Sequence, residues 1–257
     1  MTDETKRAVR SQFDRQASWY TVSQVHRQSD GLTILLEQAQ PSPRARALDI
    51  ATGTGFTALA LAPRCREVIG VDLTPGMVRE AQRLREARGV SNLRFCLGDA
   101  EALPFRNGMF DIVACRHAAH HFPHLSVALA EMARVVRQGG RVVLDDTCAP
   151  EDPRLAALMN EWETRRDASH VANLPPRELA AMFERVGLRV EATVMTAVPL
   201  AFGEWVRRGG IPEAEADALR RDFLRATPEA AAAFQIVREE HDVQFAWPEV
   251  VITGTKA

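Results

Sequence analysis

The sequence lacks paired cysteines. Its four cysteines, Cys65, Cys96, Cys115 and Cys148, lie far apart and include no Cys-x-x-Cys pair, which excludes the spacing typical of a zinc knuckle or a redox pair. We expect them to be buried and to pack as small hydrophobic residues. The opening segment MTDETKRAVR is charged and lacks the apolar core of a signal peptide. Together these features predict a cytoplasmic protein.

Long apolar runs and a strong net charge are also missing. No stretch approaches the roughly 18–20 apolar residues of a membrane span. The formal net charge of −2 provides no general attraction to nucleic acid or to anionic membranes. We therefore expect a small-molecule substrate, no nucleic-acid partner and no membrane span; the sequence carries no signal of an oligomeric state.

The 257 residues are 46% hydrophobic and 26% charged, as in soluble globular proteins. Short apolar runs alternate with helical patterns along the first part of the chain, which requires crossover connections and predicts an α/β fold with a doubly wound, mostly parallel sheet. The predicted strands are 47–50, 68–71, 93–97, 111–115, 142–144, 190–198 and 250–253. The predicted helices in the first part are 57–61, 75–87 and 125–137.

The pattern changes at both ends of this alternation. Residues 1–43 are predicted to form an N-terminal helical cap, and 44–257 the main domain. An Ala- and charge-rich helical insertion at about 201–240 is interrupted by Gly209, Gly210, Pro212 and Pro228. Strands bracket it closely, so we interpret it as a lid and not as a second domain.

A glycine-rich turn, DIATGTGFTA, follows the first strand and opens a helix. Gly53 permits a tight turn, and Gly55 is expected to let a ligand approach the backbone. From Gly53 onwards the segment also fits the Gly-x-Gly-x-x-Ala pattern of dinucleotide sites. The turn alone therefore leaves three interpretations open: a nicotinamide site, another nucleoside site and a purely structural turn.

Two carboxylates near this turn favour a ligand without phosphates. Asp49 ends the first strand, where it would repel a pyrophosphate and attract a cationic amine. Asp72 ends the second strand, at the position where a carboxylate accepts both hydrogen bonds of a ribose diol. A ribose joined to a cationic amino-acid portion describes S-adenosylmethionine.

Five motifs in order make the family recognisable: LDIATGTGF, VIGVDLTPGMVREA, FCLGDAEALPF, FDIVACRHAAHHF and VVRQGGRVVLDD. With them, about Phe13 to Arg141 resembles the class I S-adenosylmethionine-dependent methyltransferases, specifically the group related to ubiquinone/menaquinone-biosynthesis C-methyltransferases. The resemblance implies a seven-stranded sheet whose last strand, here in VVITGTKA, is antiparallel and inserted beside the fifth. Phe56 departs from the commonest form of the glycine motif, which often has a small residue there.

The resemblance also implies which residues bind S-adenosylmethionine. Asp72 would hold the ribose hydroxyls, Asp99 would accept a hydrogen bond from the adenine amino group, and Tyr20 would approach the cofactor from a capping helix. The remaining implied cofactor-binding residues are Asp49, Ala51, Gly53 and Gly55 at the methionine portion, Leu73, Met77 and Ala100 at the adenine, and Arg116 after the fourth strand.

Histidines and aspartates at two neighbouring strand tips are the candidate catalytic groups. A His–Asp pair can act as an oriented base, because the acid fixes the tautomer and the imidazole takes the proton. Some small-molecule O-methyltransferases of the class use such a pair, and by that resemblance we favour His120 with Asp146, followed by His117. A histidine that only caps a turn remains the alternative. Pro123 interrupts the helix that would align His120 with His124, so no metal site is assigned.

The leading interpretation is a methyltransferase that acts on oxygen or carbon of a small metabolite and releases S-adenosylhomocysteine. The alternatives are a protein that binds the same cofactor without transferring methyl, such as a cyclase or lyase, and a nicotinamide-dependent oxidoreductase. Candidates for the substrate pocket are Trp19, His26, Trp162, Arg165, Arg166, His170, Phe202 and Trp205.

Overall fold

A computed structural model describes residues 6–7, 9–14, 30–240 and 242–257. The strands, numbered in chain order, are β1 (Arg46–Ile50), β2 (Glu67–Asp72), β3 (Leu93–Leu97), β4 (Phe110–Arg116), β5 (Val136–Thr147), β6 (Leu188–Ala201), β7 (Val237–Arg238) and β8 (Val243–Lys256). The helices are α1 (Asp30–Ala39), α2 (Phe56–Leu61), α3 (Pro75–Ala87), α4 (Leu125–Val135), α5 (Pro153–Arg166), α6 (Pro176–Arg185), α7 (Phe202–Gly209), α8 (Glu213–Leu224) and α9 (Pro228–Ala233). Residues 6–7 and 9–14 are also helical.

The strands form one sheet in the order β3-β2-β1-β4-β5-β8-β6. The first five pair in parallel, whereas β8 runs antiparallel between β5 and β6. The expected doubly wound sheet with its inserted last strand is therefore confirmed. One difference is β7, a two-residue strand that pairs with β8 and brings the described sheet to eight strands. It forms because β8 begins at Val243, well before the predicted strand 250–253.

Local sequence signals explain most element boundaries. Pro75 occupies the first turn of α3, where the missing N–H costs nothing. The Asp152 carboxylate accepts a hydrogen bond from the Arg154 backbone N–H and caps α5. Helix α4 ends at Val135, two residues earlier than predicted, and β5 begins at once and contains Gly139 and Gly140 among its first residues.

Hydrophobic clusters cover both faces of the sheet. On one face, α1, α2 and α3 pack with residues such as Val143 and Val251. On the other face, α4 and α6 pack with Leu144, Val250 and Ile252. Strands buried on both faces read as continuous apolar runs, which is why β1 and β4 were recognisable from the sequence.

A third cluster, which we call the aromatic cluster, lies where β6 and β8 extend beyond the parallel sheet. Its members are Met159, Trp162, Val198, Leu200, Phe202, Trp205, Leu219, Phe223, Ala230, Phe234, Val243, Phe245 and Trp247. The buried Glu163 carboxylate accepts hydrogen bonds from the indole N–H groups of Trp205 and Trp247, so two of the three indoles of the cluster share one acceptor. Three of the predicted substrate-pocket residues, Trp162, Phe202 and Trp205, are thus core residues of this cluster.

The predicted lid segment corresponds to α7, α8, α9 and β7, which follow β6 and precede β8. Its role as a lid and the boundary at residues 43 and 44 remain predictions. Within the described ranges, no helix combines the length and the apolar composition that crossing a membrane requires.

Candidate functional site

A cleft lies beyond the carboxyl ends of β1, β2 and β4, where ligands of doubly wound sheets bind. It encloses about 1090 Å³ of empty space, its open mouth included. Nine of the predicted cofactor-binding residues line it, as does His117: Asp49, Ala51, Gly53, Asp72, Leu73, Met77, Asp99, Ala100 and Arg116. Tyr20, Trp19 and His26 lie outside the described residues.

The glycine turn places its two glycines differently from the expectation. Gly53 has a φ of 54° and lines the cleft, and a Cβ atom there would meet nothing within 4 Å. Gly55 also has a positive φ, 88°, but it does not line the cleft. A Cβ atom on Gly55 would lie 2.6 Å from Cζ of Phe95, so this glycine is needed for packing of the turn against β3. The open backbone that faces the cleft is that of Gly53.

The carboxylates of Asp49 and Asp72 stabilise the glycine turn by hydrogen bonds. The Asp49 carboxylate accepts hydrogen bonds from the Thr52 hydroxyl at 2.5 Å and the Ala58 N–H at 3.0 Å. Asp72 accepts from the N–H groups of Gly53 at 2.8 Å and Thr74 at 2.9 Å. Burial raises the pKa of Asp49 to about 7 and also raises that of Asp72. A cationic or hydroxyl-bearing ligand that replaces water at these carboxylates would favour their ionised forms.

The end of the cleft beside β2 and β3 combines apolar side chains with a group of ion pairs. Leu73, Met77 and Ala100 line it. Lys6 donates to Asp99 at 2.7 Å and lies 2.7 Å from Glu101. Lys6 therefore reaches over this end from the N-terminal segment, a contact that the sequence did not indicate.

Other residues of the N-terminal segment contact the cleft wall. Asp14 accepts a hydrogen bond from the Gly76 N–H at 2.7 Å, at the beginning of α3. The Gln12 side chain donates to the buried Asp167 carboxylate at 2.7 Å. The Phe13 ring meets that of His121 edge-on, with centroids 5.1 Å apart. The 9–14 helix thus contacts the beginning of α3, the residue after α5 and the cleft residue His121.

The structure brings the predicted pair His120 and Asp146 together. The His120 Nδ1 lies 2.6 Å from one Asp146 carboxylate oxygen, and the His120 backbone N–H donates to the other at 3.0 Å. Burial opposes ionisation of both groups, but their mutual attraction outweighs it: the pKa of His120 is raised and that of Asp146 is lowered. The pair is thus an imidazole with its Nδ1–H donated to a carboxylate, as an oriented base requires.

Two further histidines surround this pair. The His121 ring lies 4.1 Å from that of His120 and lines the cleft, which His120 does not. The His170 ring lies 5.8 Å from that of His120 on the other side. Burial lowers the pKa of His121 to about 4 and that of His170 to about 3, so both are neutral at pH 7. His121 was part of the quoted motif, but the spacing gave no reason to prefer it.

A second histidine–carboxylate group lies on the opposite face of the same strand tips. The His117 Nε2 is 2.8 Å from a Glu249 carboxylate oxygen and 4.0 Å from one of Asp145. Burial and the negative charge of Glu249 raise the pKa of Asp145 well above its ordinary value. We call His117, Asp145 and Glu249 the acidic group. Glu249 was not predicted as a site residue, because nothing in VVITGTKA or its surroundings fixes the register of β8 against β5.

The other predicted pocket residues have structural partners. Arg165 pairs with Glu215 at 2.6 Å and Asp222 at 2.8 Å, which ties α5 to α8. Arg166 pairs with Asp167 at 3.1 Å. His124, which the sequence excluded as a metal ligand, is exposed.

Comparisons with known proteins agree on one family. The family described as "Methyltransferase domain" matches residues 48–144. The chain is 36% identical to the uncharacterized methyltransferase YcgJ of Bacillus subtilis, over the full length of both chains. It also resembles the YcgJ crystal structure with a TM-score of 0.84 and 37% identity, covering 88% of this chain and 97% of that one.

Relatives with named reactions align over a smaller share of the chain. A demethylmenaquinone methyltransferase of Thermus thermophilus is 46% identical over 38% of this chain and 46% of its own length. The nocamycin O-methyltransferase of Saccharothrix syringae is 30% identical over 90% of this chain and 73% of its own. The first aligns over part of the chain, whereas the second aligns over most of it.

Proposed function

The chain belongs to the class I S-adenosylmethionine-dependent methyltransferases, and we propose that it methylates an oxygen or carbon atom of a small metabolite. The observation that carries this proposal is the His120–Asp146 pair, in which the His120 ring lies 4.1 Å from the ring of the cleft residue His121. An oriented base is needed when the acceptor must lose a proton, as a phenol, an alcohol or a carbon acid does. Demethylmenaquinone methyltransferase and nocamycin O-methyltransferase, both similar to this chain, have names that fit such acceptors.

The residues of the cleft fit the cofactor that the family uses. Four carboxylates line it, Asp49, Asp72, Asp99 and Glu101, against two permanent cations, Lys6 and Arg116. Lys6 is paired with two of those carboxylates, so the lining disfavours a pyrophosphate and suits a cationic ligand. The Asp72 carboxylate lines the cleft and is the acceptor that a ribose diol would use.

Gly53 and the apolar end of the cleft complete the fit. The open space above Gly53 lets the amino-acid portion of the ligand approach the backbone without a side chain in the way. Leu73 and Met77 provide apolar surface for a purine ring at the end beside β2 and β3. S-Adenosylmethionine, when bound, supplies a methyl group already activated by its sulfonium.

The residues of the chain then align the acceptor with the methyl group and remove a proton from the acceptor. His120 donates Nδ1–H to Asp146, which leaves Nε2 as the basic nitrogen. Asp146 raises the pKa of His120, so the imidazole holds a proton taken from the acceptor more firmly than a free histidine would. Phe13, Phe122 and Ala118 line the cleft, and their apolar atoms would limit the access of water to the transferred methyl group.

Two measurements test the proposal. Calorimetry should show binding of S-adenosylmethionine and S-adenosylhomocysteine at micromolar concentrations, and Asp72→Ala should weaken it by about 100-fold, through loss of hydrogen bonds to a charged group. Asp111→Ala is the matched control, because Asp111 lies at the opposite end of β4 and bonds Arg46 and Arg137. Melting curves of both variants check that each remains folded.

Transfer of labelled methyl to a panel of phenols, alcohols and quinols then separates the possible activities. Methyl transfer to oxygen or carbon supports the proposal. Cofactor binding without any labelled product would instead support a non-methylating enzyme, and binding of NADH in place of both sulfur ligands would support an oxidoreductase. Either result would contradict the proposed reaction.

A further inference from the structure

The acidic group is assembled by the register of β8 against β5. Asp145 lies opposite Val251, and Glu249 precedes Val251 by two residues, so both carboxylates are on the sheet face that α1 covers. His117 joins them from the end of β4, where its backbone N–H donates to the Asp145 carbonyl at 2.8 Å. One ligand atom from each of the three side chains lies within 4.8 Å of the others.

Two buried carboxylates meet here without a hydrogen-bond donor for one of them. Asp145 is 0% exposed and Glu249 1% exposed. Neither carboxylate oxygen of Asp145 has a hydrogen-bond partner among the described residues. A buried carboxylate with no donor is costly, and a second carboxylate beside it increases the cost. The arrangement therefore requires a positive charge or a shared proton between the two groups.

None of the described cationic side chains donates a hydrogen bond to Asp145. Gly31, in the first turn of α1, covers the group so closely that a Cβ atom there would lie 2.7 Å from an Asp145 oxygen. Arg116 lies opposite Asp145 in the register of β4 and β5, where its charge opposes the rise in the pKa of Asp145, and its Nε donates to the Thr57 hydroxyl at 3.2 Å. Of the three side chains, that of His117 lines the cleft, whereas Asp145 and Glu249 are buried behind it.

We propose that His117, Asp145 and Glu249 bind one divalent first-row transition-metal cation at the edge of the cleft. One imidazole nitrogen and two carboxylate oxygens form a ligand set suited to Zn²⁺, Mn²⁺ or Fe²⁺. Ligand atoms at about 2.0–2.2 Å from such an ion are up to about 4.4 Å apart, so small side-chain movements from the observed spacing complete the site. Zn²⁺ is usually four-coordinate, so three protein ligands would leave one position for a water molecule.

This site is separate from the His120–Asp146 pair and does not depend on which acceptor the enzyme methylates. It differs from the expectation of no metal, which considered only His120 with His124. Those residues are close in sequence, whereas Glu249 is 132 positions from His117 and reaches it through the sheet. An ion there would neutralise the buried carboxylates and lower the pKa of a bound hydroxyl group.

The test uses the full chain, freed of metal with a chelator and then dialysed against Zn²⁺, Mn²⁺ or Mg²⁺ salts. Metal analysis should find about one Zn²⁺ or Mn²⁺ per chain, and the ion should raise the melting temperature. Glu249→Gln should weaken binding by at least about tenfold, because it replaces a charged ligand by a neutral one of the same shape. His117→Ala should do the same, and its side chain, 13% exposed, is the one of the three that is tolerant of truncation.

Asp146→Asn is the matched control. It alters an equally buried histidine–carboxylate pair on the other sheet face, so it should leave the metal content at about one ion per chain. The proposal is overturned if no ion binds at micromolar concentrations, which would leave a shared proton as the explanation. It is also overturned if Glu249→Gln retains the ion, or if Asp146→Asn loses it. Binding of Mg²⁺ alone would contradict the transition-metal assignment.

Discussion

Asp145 and Asp146 are neighbours in β5, yet their environments are opposite. Asp146 lies opposite Val250 on the face covered by α4 and α6, and its partner is the imidazole of His120. Asp145 lies on the α1 face, and its nearest titratable partner is another carboxylate, Glu249. Their pKa values move in opposite directions accordingly: that of Asp146 is lowered and that of Asp145 is raised well above its ordinary value.

The comparison shows that alternation along one strand is enough to create two sites of different chemistry. On one face a carboxylate is compensated by a histidine, which gives an oriented base. On the other face one histidine lies beside two buried carboxylates, and this group is the proposed cation site. The predictions below separate the two faces, beginning with the largest expected effect.

Removing the base should have the largest effect on turnover. His120→Ala should lower kcat by about 10²- to 10⁴-fold, the usual contribution of a general base, with little change in cofactor affinity. His124→Ala is the control, because His124 is an exposed histidine four residues away. Steady-state kinetics with the acceptor found in the labelling experiment measures both. Equal activity of the two variants would contradict a catalytic role of His120.

The pH profile distinguishes a positioning role of Asp146 from a merely structural one. Activity requires neutral His120 and should therefore rise with pH through the pKa of His120, which Asp146 raises above its ordinary value of 6.5. Asp146→Asn should move that rise to lower pH as well as lowering kcat. A variant with lower activity but an unchanged profile would show that Asp146 acts only on the fold.

Acid should destabilise the sheet face that carries the His120–Asp146 pair, because the buried His121 there resists taking up a proton. The folded-state pKa of His121, about 4, lies below its ordinary value of 6.5. Its contribution to stability is therefore complete above about pH 6.5 and is lost as the pH falls through about 4, to the extent of about 3 kcal/mol. Chemical denaturation across this range should show a shallower decline for His121→Phe than for the unmodified chain. Parallel curves would contradict the neutral, buried state of His121.

Without metal, the amide substitutions of Asp145 and Asp146 should change the free energy of unfolding in opposite directions. Asp145→Asn should raise the free energy of unfolding by about 1–3 kcal/mol at pH 7, because the new amide can donate to Glu249 without the proton uptake on folding that the raised pKa of Asp145 requires. Asp146→Asn should lower it by about the same amount, because His120 loses its counter-ion. Denaturant titration in the presence of a chelator measures both. The same sign for both variants would contradict the comparison of the two faces.

The sequence predicted the elements more successfully than their contacts. Strand and helix alternation, the glycine turn and the positions of Asp49 and Asp72 follow from local patterns, and the structure places them as an α/β sheet with a cleft at its strand tips. The pair of His120 and Asp146 was also found, because both follow neighbouring parallel strands.

Contacts that depend on distant register were not predictable. Glu249 reaches His117 only because β8 is antiparallel to β5 in one particular register. Gly55 was assigned to the ligand because the sequence does not show that Phe95 fills the space beside it. Trp162 and Trp205 were assigned to the substrate pocket because a helical aromatic pattern does not distinguish a pocket from a core.

The most direct test of the account is a crystal structure of the chain with S-adenosylhomocysteine. We expect the ligand in the cleft of β1, β2 and β4, with its ribose hydroxyls on Asp72 and its sulfur side towards His117 and His121. The adenine should lie against Leu73 and Met77. A ligand bound elsewhere, or a ribose that does not contact Asp72, would contradict the central claim that this cleft holds the methyl donor.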